Sequence, residues 1–207
     1  MQTTYKTIRA RADESFEEKK SVFIGHAMPV STEAEALSFL SEIRSAYPDA
    51  THNVYAYVLR ENGVMRYSDD HEPQGTAGMP VLDVLRKAEI TDTVVVVTRY
   101  FGGTLLGTGG LVRAYTHAAK LAIEAGGVVT RAKLVLLTMV CSYSDYQKMT
   151  PHLSADFVRI LDTEFGADVT VHMAMLPTYR EEFCRSMTEA SGGRAVLSEM
   201  GERFDYL

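Results

Sequence analysis

Two polar loops of the chain carry most of the residue types that catalyse reactions or bind ions. The first loop reads SDDHEPQGTAG from Ser68 to Gly78, and it contains three carboxylates, Asp69, Asp70 and Glu72. Magnesium sites in proteins are often built from one or two carboxylates, several waters and the oxygens of an anionic substrate. The first loop therefore predicts a weak magnesium site. The alternative is a solvated loop whose aspartates cap the turn that follows.

The second loop, Phe101 to Gly110, reads FGGTLLGTGG and is rich in glycine. Glycine permits positive φ angles and lets backbone N–H groups approach a ligand closely. Because a predicted helix follows directly, the free N–H groups and the positive end of the helix dipole favour an anion such as phosphate. Arg99 and Arg113 flank the loop, and guanidinium groups bind phosphate oxygens in pairs. The alternative is a turn that packs helix against sheet, with the arginines solvated or paired to Asp69 or Asp70.

The glycine spacing matches neither G-x-G-x-x-G nor G-x-x-x-x-G-K-[ST], so it is not a standard dinucleotide or P-loop signature. The predicted contacts for an anion, phosphate or RNA are Arg99, Gly102, Gly103, Gly107, Gly109, Gly110, Arg113 and His117. His52 and Asn53 begin a strand whose direction could bring them near either loop. Arg66 and Lys120 would join the exposed bases in a local positive patch. The absence of G-x-S-x-G and H-E-x-x-H motifs weakens the serine-hydrolase and zincin interpretations.

The elements around these loops can be predicted from the periodicity of apolar residues. In the first part of the chain we predict strands at 5–11 and 21–30 joined by a charged connection, a helix from 31 to 47, a hairpin at 52–67, a short helix at 80–88, a buried strand at 93–100 and a helix at 111–125. The last helix has an apolar stripe that includes Tyr115. Each of the two polar loops follows a predicted strand and precedes a predicted helix of this first part of the chain.

The chain after Arg131 has a different organisation. Strand, helix, strand, strand, helix and strand patterns follow one another, which is the β-α-β-β-α-β order of a ferredoxin-like domain. We therefore predict an α+β protein of two domains, 1–131 with the glycine-rich site and 132–207 with the ferredoxin-like fold.

Composition restricts the classes of function. The net charge is −6 and hydrophobic residues make up 46% of the chain, which is typical of a globular protein. Nucleic-acid binding would need a local basic patch. The N-terminus lacks the apolar core of a signal peptide, and the most apolar run, Thr93 to Thr98, is too short to span a membrane. We expect a cytoplasmic protein with no membrane partner and with its two cysteines, Cys141 and Cys184, reduced.

Three segments together resemble the signature of the YigZ/IMPACT family: HNVYAYV, RYSDDHEPQGTAGMPVLDVL and VVVVTRYFGGTLLGTGGLVRAYTHA. The resemblance extends without interruption from Thr51 to Ala119. It implies an N-terminal domain like the second domain of ribosomal protein S-five, followed by a ferredoxin-like domain similar to one of elongation factor G. The family pattern has glycine where this chain has His71, and often cysteine where it has Val54.

Eukaryotic relatives in this family are tied to translational control, so the resemblance implies a translation-associated regulator. Such a protein would bind RNA, the ribosome or a translation-related protein through the face of the molecule that carries the glycine-rich loop. The alternative from the residues themselves is a magnesium-dependent enzyme that acts on a phosphorylated or otherwise anionic small molecule. The sequence makes no prediction of oligomeric state.

Overall fold

The computed structural model describes residues 4–206, which form two compact units. The first unit comprises Tyr5–Thr130, and the second comprises the chain from Arg131 onwards together with Thr4. Each hydrophobic cluster among the described residues takes its side chains from one unit only. Each unit therefore has a core of its own.

The first unit is a five-stranded sheet with helices on both faces. Its elements are β1 (Thr4–Ile8), which is not a strand of this sheet, β2 (Ala12–Glu18), β3 (Ser21–Pro29), α1 (Glu33–Ala46), β4 (His52–Val58), β5 (Met65–Ser68), α2 (Gly78–Lys87), β6 (Thr93–Tyr100) and α3 (Thr108–Gly126). The strand order is β2-β3-β6-β4-β5, and neighbouring strands are antiparallel. Helix α1 packs on one face of the sheet, while α2 and α3 pack on the other. The central strand β6 is β-branched and buried along most of its length because helices cover both its faces.

The second unit contains β7 (Val128–Cys141), α4 (Tyr143–Leu153), β8 (Arg159–Phe165), β9 (Val169–Met175), α5 (Pro177–Ser191) and β10 (Val196–Tyr206). Strand β7 pairs with β10 on one side and β9 on the other, and β9 also pairs with β8. The order β10-β7-β9-β8 with alternating direction is the ferredoxin-like sheet. The predicted fold class, α+β with a ferredoxin-like C-terminal part, is confirmed.

The charged segment after Arg11 is not a connection but the edge strand β2. It pairs with β3 through a two-residue turn at Lys19 and Lys20, whose φ angles are 49° and 67°. Such positive angles suit a hairpin turn but are usually supplied by Asn and Gly, so the sequence carried no recognisable turn signal. Along β2, Phe16 packs against the core while most of the charged side chains face solvent.

Helix α3 begins at Thr108, three residues before the predicted start at Leu111. Its N-cap is Gly107, with a φ of 74° that a residue with a side chain adopts reluctantly. The last three residues of the glycine-rich loop therefore form the first turn of the helix.

Candidate functional site

The two polar loops meet at a pocket of about 430 Å³. Its ionisable residues are His52, Glu72 and Arg99, and its apolar walls include Phe101, Leu105, Leu106 and Leu111. A concave site with apolar walls and a few convergent polar groups is the usual form of a ligand-binding site. We call this cavity the loop pocket.

The register of the sheet places two of the predicted residues side by side. His52 on β4 and Arg99 on β6 are directly paired across the strands. Because side chains alternate between the two faces of a sheet, both residues lie on the face of Val54 and Val97, which pack beneath α2 and α3. The strands therefore bring His52 and Arg99 under the glycine-rich loop.

Glu72 completes this cluster from the first loop. Arg99 Nη1 donates a hydrogen bond to Glu72 Oε1 at 2.5 Å, and the Tyr115 hydroxyl donates to the same oxygen at 2.7 Å. His52 Nε2 lies 3.7 Å from this oxygen. The residues Glu72 and Arg99 are only 8% and 5% exposed, so the two charges compensate each other away from water. Burial, together with the negative charge of Glu72, raises the pKa of Tyr115 far above its ordinary value.

Aromatic rings also hold the Arg99 guanidinium in place. Its central carbon lies 5.3 Å from the centre of the Phe23 ring and 5.5 Å from that of the Phe101 ring. Cations near aromatic faces are attracted by the ring quadrupole. Arg99 is therefore a buried residue held by Glu72 and by two aromatic rings, and not a surface cation.

Asp69 and Asp70 organise the first loop. Asp69 Oδ1 accepts hydrogen bonds from the N–H groups of Ala77 and Gly78 at 3.1 and 2.8 Å, where α2 begins. Asp69 Oδ2 accepts from the N–H of Gly75 at 2.9 Å. These bonds satisfy N–H groups at the start of a helix that has no side-chain cap at its N-cap residue.

Asp70 ties the loop to the sheet and to α1. Its Oδ2 accepts from the Asn53 N–H at 2.6 Å, and its Oδ1 accepts from Arg44 Nη2 at 3.1 Å. Asp70 and His71 both have positive φ angles, 44° and 70°. A glycine at position 71, which the family resemblance implies, would adopt such a backbone conformation freely.

This arrangement does not support the predicted magnesium site on Asp69, Asp70 and Glu72. Each of the three carboxylates is hydrogen-bonded to a different set of protein donors. Within residues 4–206 no group of three or more His, Cys, Asp or Glu side chains is positioned to hold a metal ion. The capping alternative describes Asp69 better, because its oxygens bind backbone N–H groups.

The Asn53 side chain belongs to a network on the α1 face of the sheet. Thr98 Oγ1 lies 2.8 Å from Asn53 Oδ1 and 3.1 Å from His26 Nε2, and His26 Nδ1 lies 2.6 Å from Asp13 Oδ1. Only the backbone of Asn53 therefore contributes to the first loop. Sequence patterns did not identify His26, which sits among apolar strand residues with nothing to distinguish it.

The predicted positive patch is divided among several surfaces. Arg99 is buried, and Arg66 lies opposite Tyr57, on the α1 face of the sheet. Arg113 and His117 line a separate small cleft beside Phe16. Lys120 lines a groove between α2 and α3, together with Asp83, Lys87 and Glu124. The five bases do not form one patch, because they project from different faces of the unit.

The glycines of the second loop have distinct roles. A Cβ atom at Gly102 would lie 2.0 Å from the backbone of Lys20, so this glycine allows the loop to pack against the β2–β3 turn. Gly103 and Gly107 have positive φ angles, and Gly109 and Gly110 lie in the first turn of α3.

Tyr115 was predicted only as a core residue in the apolar stripe of α3. Its hydroxyl is the single polar group in that stripe, and this was the signal that it has a buried partner.

Comparison with protein-family models matches the Impact N-terminal domain to residues 19–123 and a domain of unknown function (DUF1949) to residues 139–194. The chain is 35% identical to the IMPACT family member YvyE of Bacillus subtilis over 197 residues, covering 95% of this chain and 91% of the relative. This chain belongs to the IMPACT family. The IMPACT family member YigZ of Escherichia coli is 31% identical over 187 residues, covering 89% of this chain and 92% of its own.

Other IMPACT relatives match about half of the chain. The protein IMPACT homolog of Dictyostelium discoideum is 39% identical over 109 residues, which cover 50% of this chain and 30% of the relative. A solved structure described as a hypothetical protein is similar over 95% of this chain and 97% of its own, with 30% identity and a TM-score of 0.62. The loop pocket lies within the region matched to the Impact N-terminal domain. Residues 4–206 contain no helix long and apolar enough to cross a membrane.

Proposed function

We propose that this IMPACT-family protein is a translation-associated regulator that binds a protein surface of the ribosome through its glycine-rich loop. One observation carries the proposal: Leu105 at the tip of the loop is 82% exposed, and Phe101 at its base is 45% exposed. Exposed apolar side chains beside a concave apolar pocket are typical of protein-binding sites. The link to translation rests on the family resemblance.

A protein surface fits this loop better than RNA. Phosphate-backbone binding depends on several accessible cations. Arg99, the base nearest the pocket, is buried and neutralised by Glu72, which leaves Arg113 and His117 as the exposed bases of the adjoining cleft. The net charge of −6 adds no general attraction for nucleic acid.

Co-sedimentation of the full chain with purified Bacillus subtilis ribosomes tests this function. We expect binding that persists at high salt and that Leu105→Ser weakens by about tenfold, because a central apolar contact is lost. Leu105 is too exposed for this change to disturb the fold. Met200→Ser is the matched control, since Met200 is 64% exposed on β10 of the other unit.

Two results would contradict the proposal. If the wild-type protein does not sediment with ribosomes, the translational role fails. If binding disappears with salt and with Arg113→Ala but survives Leu105→Ser, the loop region contacts RNA and not protein.

A second function, an enzyme for an anionic small molecule, is favoured by the convergence of His52, Glu72 and Arg99 at the loop pocket. Histidine and buried carboxylates are common general acids and bases. The magnesium part of the original hypothesis gains no support, since Asp69 and Asp70 are engaged in backbone and arginine contacts. A turnover assay on carboxylate and phosphate substrates with His52→Gln as the inactive control would decide this second function.

A further inference from the structure

The hydrogen bonding of His52 determines which of its ring nitrogens is basic. Nδ1 lies 2.7 Å from the carbonyl oxygen of Asp70. Because a carbonyl oxygen only accepts hydrogen bonds, Nδ1 carries a proton and is the donor. In the neutral ring the free lone pair is then on Nε2. The His52 side chain is 16% exposed and lines the loop pocket. The pocket therefore contains a histidine of fixed tautomer whose Nε2 is free to accept a hydrogen bond.

Glu72 and Arg99 leave two further hydrogen-bonding positions unfilled. Glu72 Oε1 accepts from Arg99 and Tyr115, but no residue between 4 and 206 donates to Oε2. Arg99 Nε is buried and has no partner within the described chain. Buried polar groups normally have partners. Arg99 Nε is enclosed, whereas Glu72 Oε2 is not among the enclosed unpartnered atoms of residues 4–206 and is therefore the position open to a group from outside the chain.

The N-terminus of α3 adds a positive electrostatic potential to the same pocket. Gly107 and Thr108 line the pocket, and the N-cap Gly107 has no side chain to accept a bond. The first backbone bond of the helix is from the Leu111 N–H to the Gly107 carbonyl. The N–H groups before Leu111 therefore have no partner within the helix and are free to bind an anion.

The charges around the pocket select the kind of anion. Arg99 and Glu72 offset each other, which leaves the helix terminus, equivalent to roughly half a positive charge, as the main attraction. A phosphate dianion would also face the Glu72 carboxylate, whereas a carboxylate carries a single charge. The free acceptors on Glu72 and His52 require a hydrogen-bond donor on the ligand, and the leucine and phenylalanine walls require an apolar body.

We propose that the loop pocket binds a small apolar carboxylic acid that also carries a hydroxyl or amino donor. The carboxylate binds the N–H groups at the start of α3. A hydroxyl on the ligand donates to one of the two acceptors His52 Nε2 and Glu72 Oε2, and an amino group can donate to both. This inference deepens the second function by naming its ligand class. Its test is separate from that of ribosome binding, because it uses small ligands and His52→Gln, whereas the ribosome test uses Leu105→Ser.

A backbone NMR titration of the full chain with 3-phenyllactate tests the proposal. We expect the amide signals of Thr108, Gly109 and Gly110 and the ring signals of His52 to shift together. Loss of the hydroxyl in 3-phenylpropionate, or of the charge in 3-phenyllactamide, should weaken binding by about tenfold. His52→Gln should weaken 3-phenyllactate by a similar factor, while His152→Gln, which changes an exposed histidine of the second unit, should leave it unchanged.

Several outcomes would overturn the inference. Tighter binding of phenyl phosphate than of 3-phenyllactate would mean that the pocket selects dianions. Equal affinities for 3-phenyllactate and 3-phenylpropionate would exclude a role for the free acceptors, and no shift at Thr108–Gly110 would exclude the helix terminus. If binding is seen without turnover of any substrate, the ligand site stands and only the enzymatic function fails.

Discussion

The buried pair of Arg99 and Glu72 explains why the arginine nearest the glycine-rich loop is not a surface phosphate ligand. The two residues are 27 positions apart and come from the central strand and the first loop. In the sequence, Asp69 and Asp70 were possible partners of the arginines. In the structure, Arg99 pairs with the third carboxylate of the loop, Glu72. Asp69 was unavailable to Arg99 because its oxygens bind the N–H groups at the start of α2.

Glu72→Gln tests the energy of this pair. Neutralising one partner leaves the Arg99 charge buried without compensation, so we expect the free energy of unfolding to fall by about 3–5 kcal/mol. Urea unfolding followed by circular dichroism measures the change. Glu89→Gln is the control, because Glu89 is 80% exposed and pairs with Lys6 at the surface; such a pair contributes less than about 1 kcal/mol. Equal small effects of both variants would show that Arg99 is compensated by other groups.

His71 is an exposed residue with a φ of 70°, a conformation that is unfavourable for residues with a Cβ atom by about 1–2 kcal/mol. His71→Gly relieves this strain at the expense of greater freedom in the unfolded chain. We therefore expect a gain in stability of about 0.5–1 kcal/mol, seen as a higher melting temperature. His71→Val, which adds a branched Cβ, should lower it. A loss of stability in the glycine variant would mean that the histidine ring makes a stabilising contact.

At the scale of elements, the sheet separates two polar networks that are close in sequence. His52 lies on the α3 face and Asn53 on the α1 face, because successive strand residues point in opposite directions. The first belongs to the loop pocket. The second forms a network with Thr98, His26 and Asp13 that spans four neighbouring strands, β4, β6, β3 and β2. Strand periodicity predicts this separation, but the identity of the partners depends on the strand order.

His26 makes the first unit sensitive to acid. Burial lowers the pKa of His26 below its ordinary value of 6.5, although Asp13 partly opposes the shift. The unfolded chain therefore binds more protons than the folded chain below about pH 6.5. The contribution of this residue to stability is complete above pH 6.5 and is lost as the pH falls from there towards the lower pKa of the folded state.

We expect the melting temperature of the wild-type protein to fall more steeply between pH 7 and 5 than that of His26→Gln. Differential scanning calorimetry across this range measures both slopes. His152→Gln serves as the control for an ordinary surface histidine, since His152 is exposed near the end of α4. Parallel slopes for the wild type and His26→Gln would show that His26 keeps an unshifted pKa when folded.

At the scale of the whole molecule, the described residues form two units with separate cores. The ferredoxin-like unit has its own cluster of buried residues between its sheet and its two helices. The first unit has one cluster on each face of its sheet. No cluster among residues 4–206 mixes the two units. The domain boundary near Arg131 stays a prediction.

A chain ending at Thr130 tests whether the first unit is an independent domain. We expect it to be monodisperse and to unfold in a single cooperative transition, because its clusters of buried side chains are intact. Size-exclusion chromatography and thermal circular dichroism provide the measurements. An aggregating or non-cooperative product would show that the first unit needs residues after 130 to fold.

The sequence by itself determined the α+β class, the order of elements in the second unit, and the two loops at which polar residues and glycines are concentrated. These properties follow from local rules: alternation for strands, helical spacing, and the conformational freedom of glycine. The family resemblance further identified the loops as one signature.

Only the tertiary structure decided how the functional groups are combined. It buried Arg99 against Glu72, used Asp69 as a cap, placed Arg66 on the opposite face and fixed the tautomer of His52. The physical reason is that a charge is paired with whichever group the packing of distant elements brings within hydrogen-bonding range. Sequence periodicity describes the face on which a residue lies, but it contains no information on which loop will cover that face.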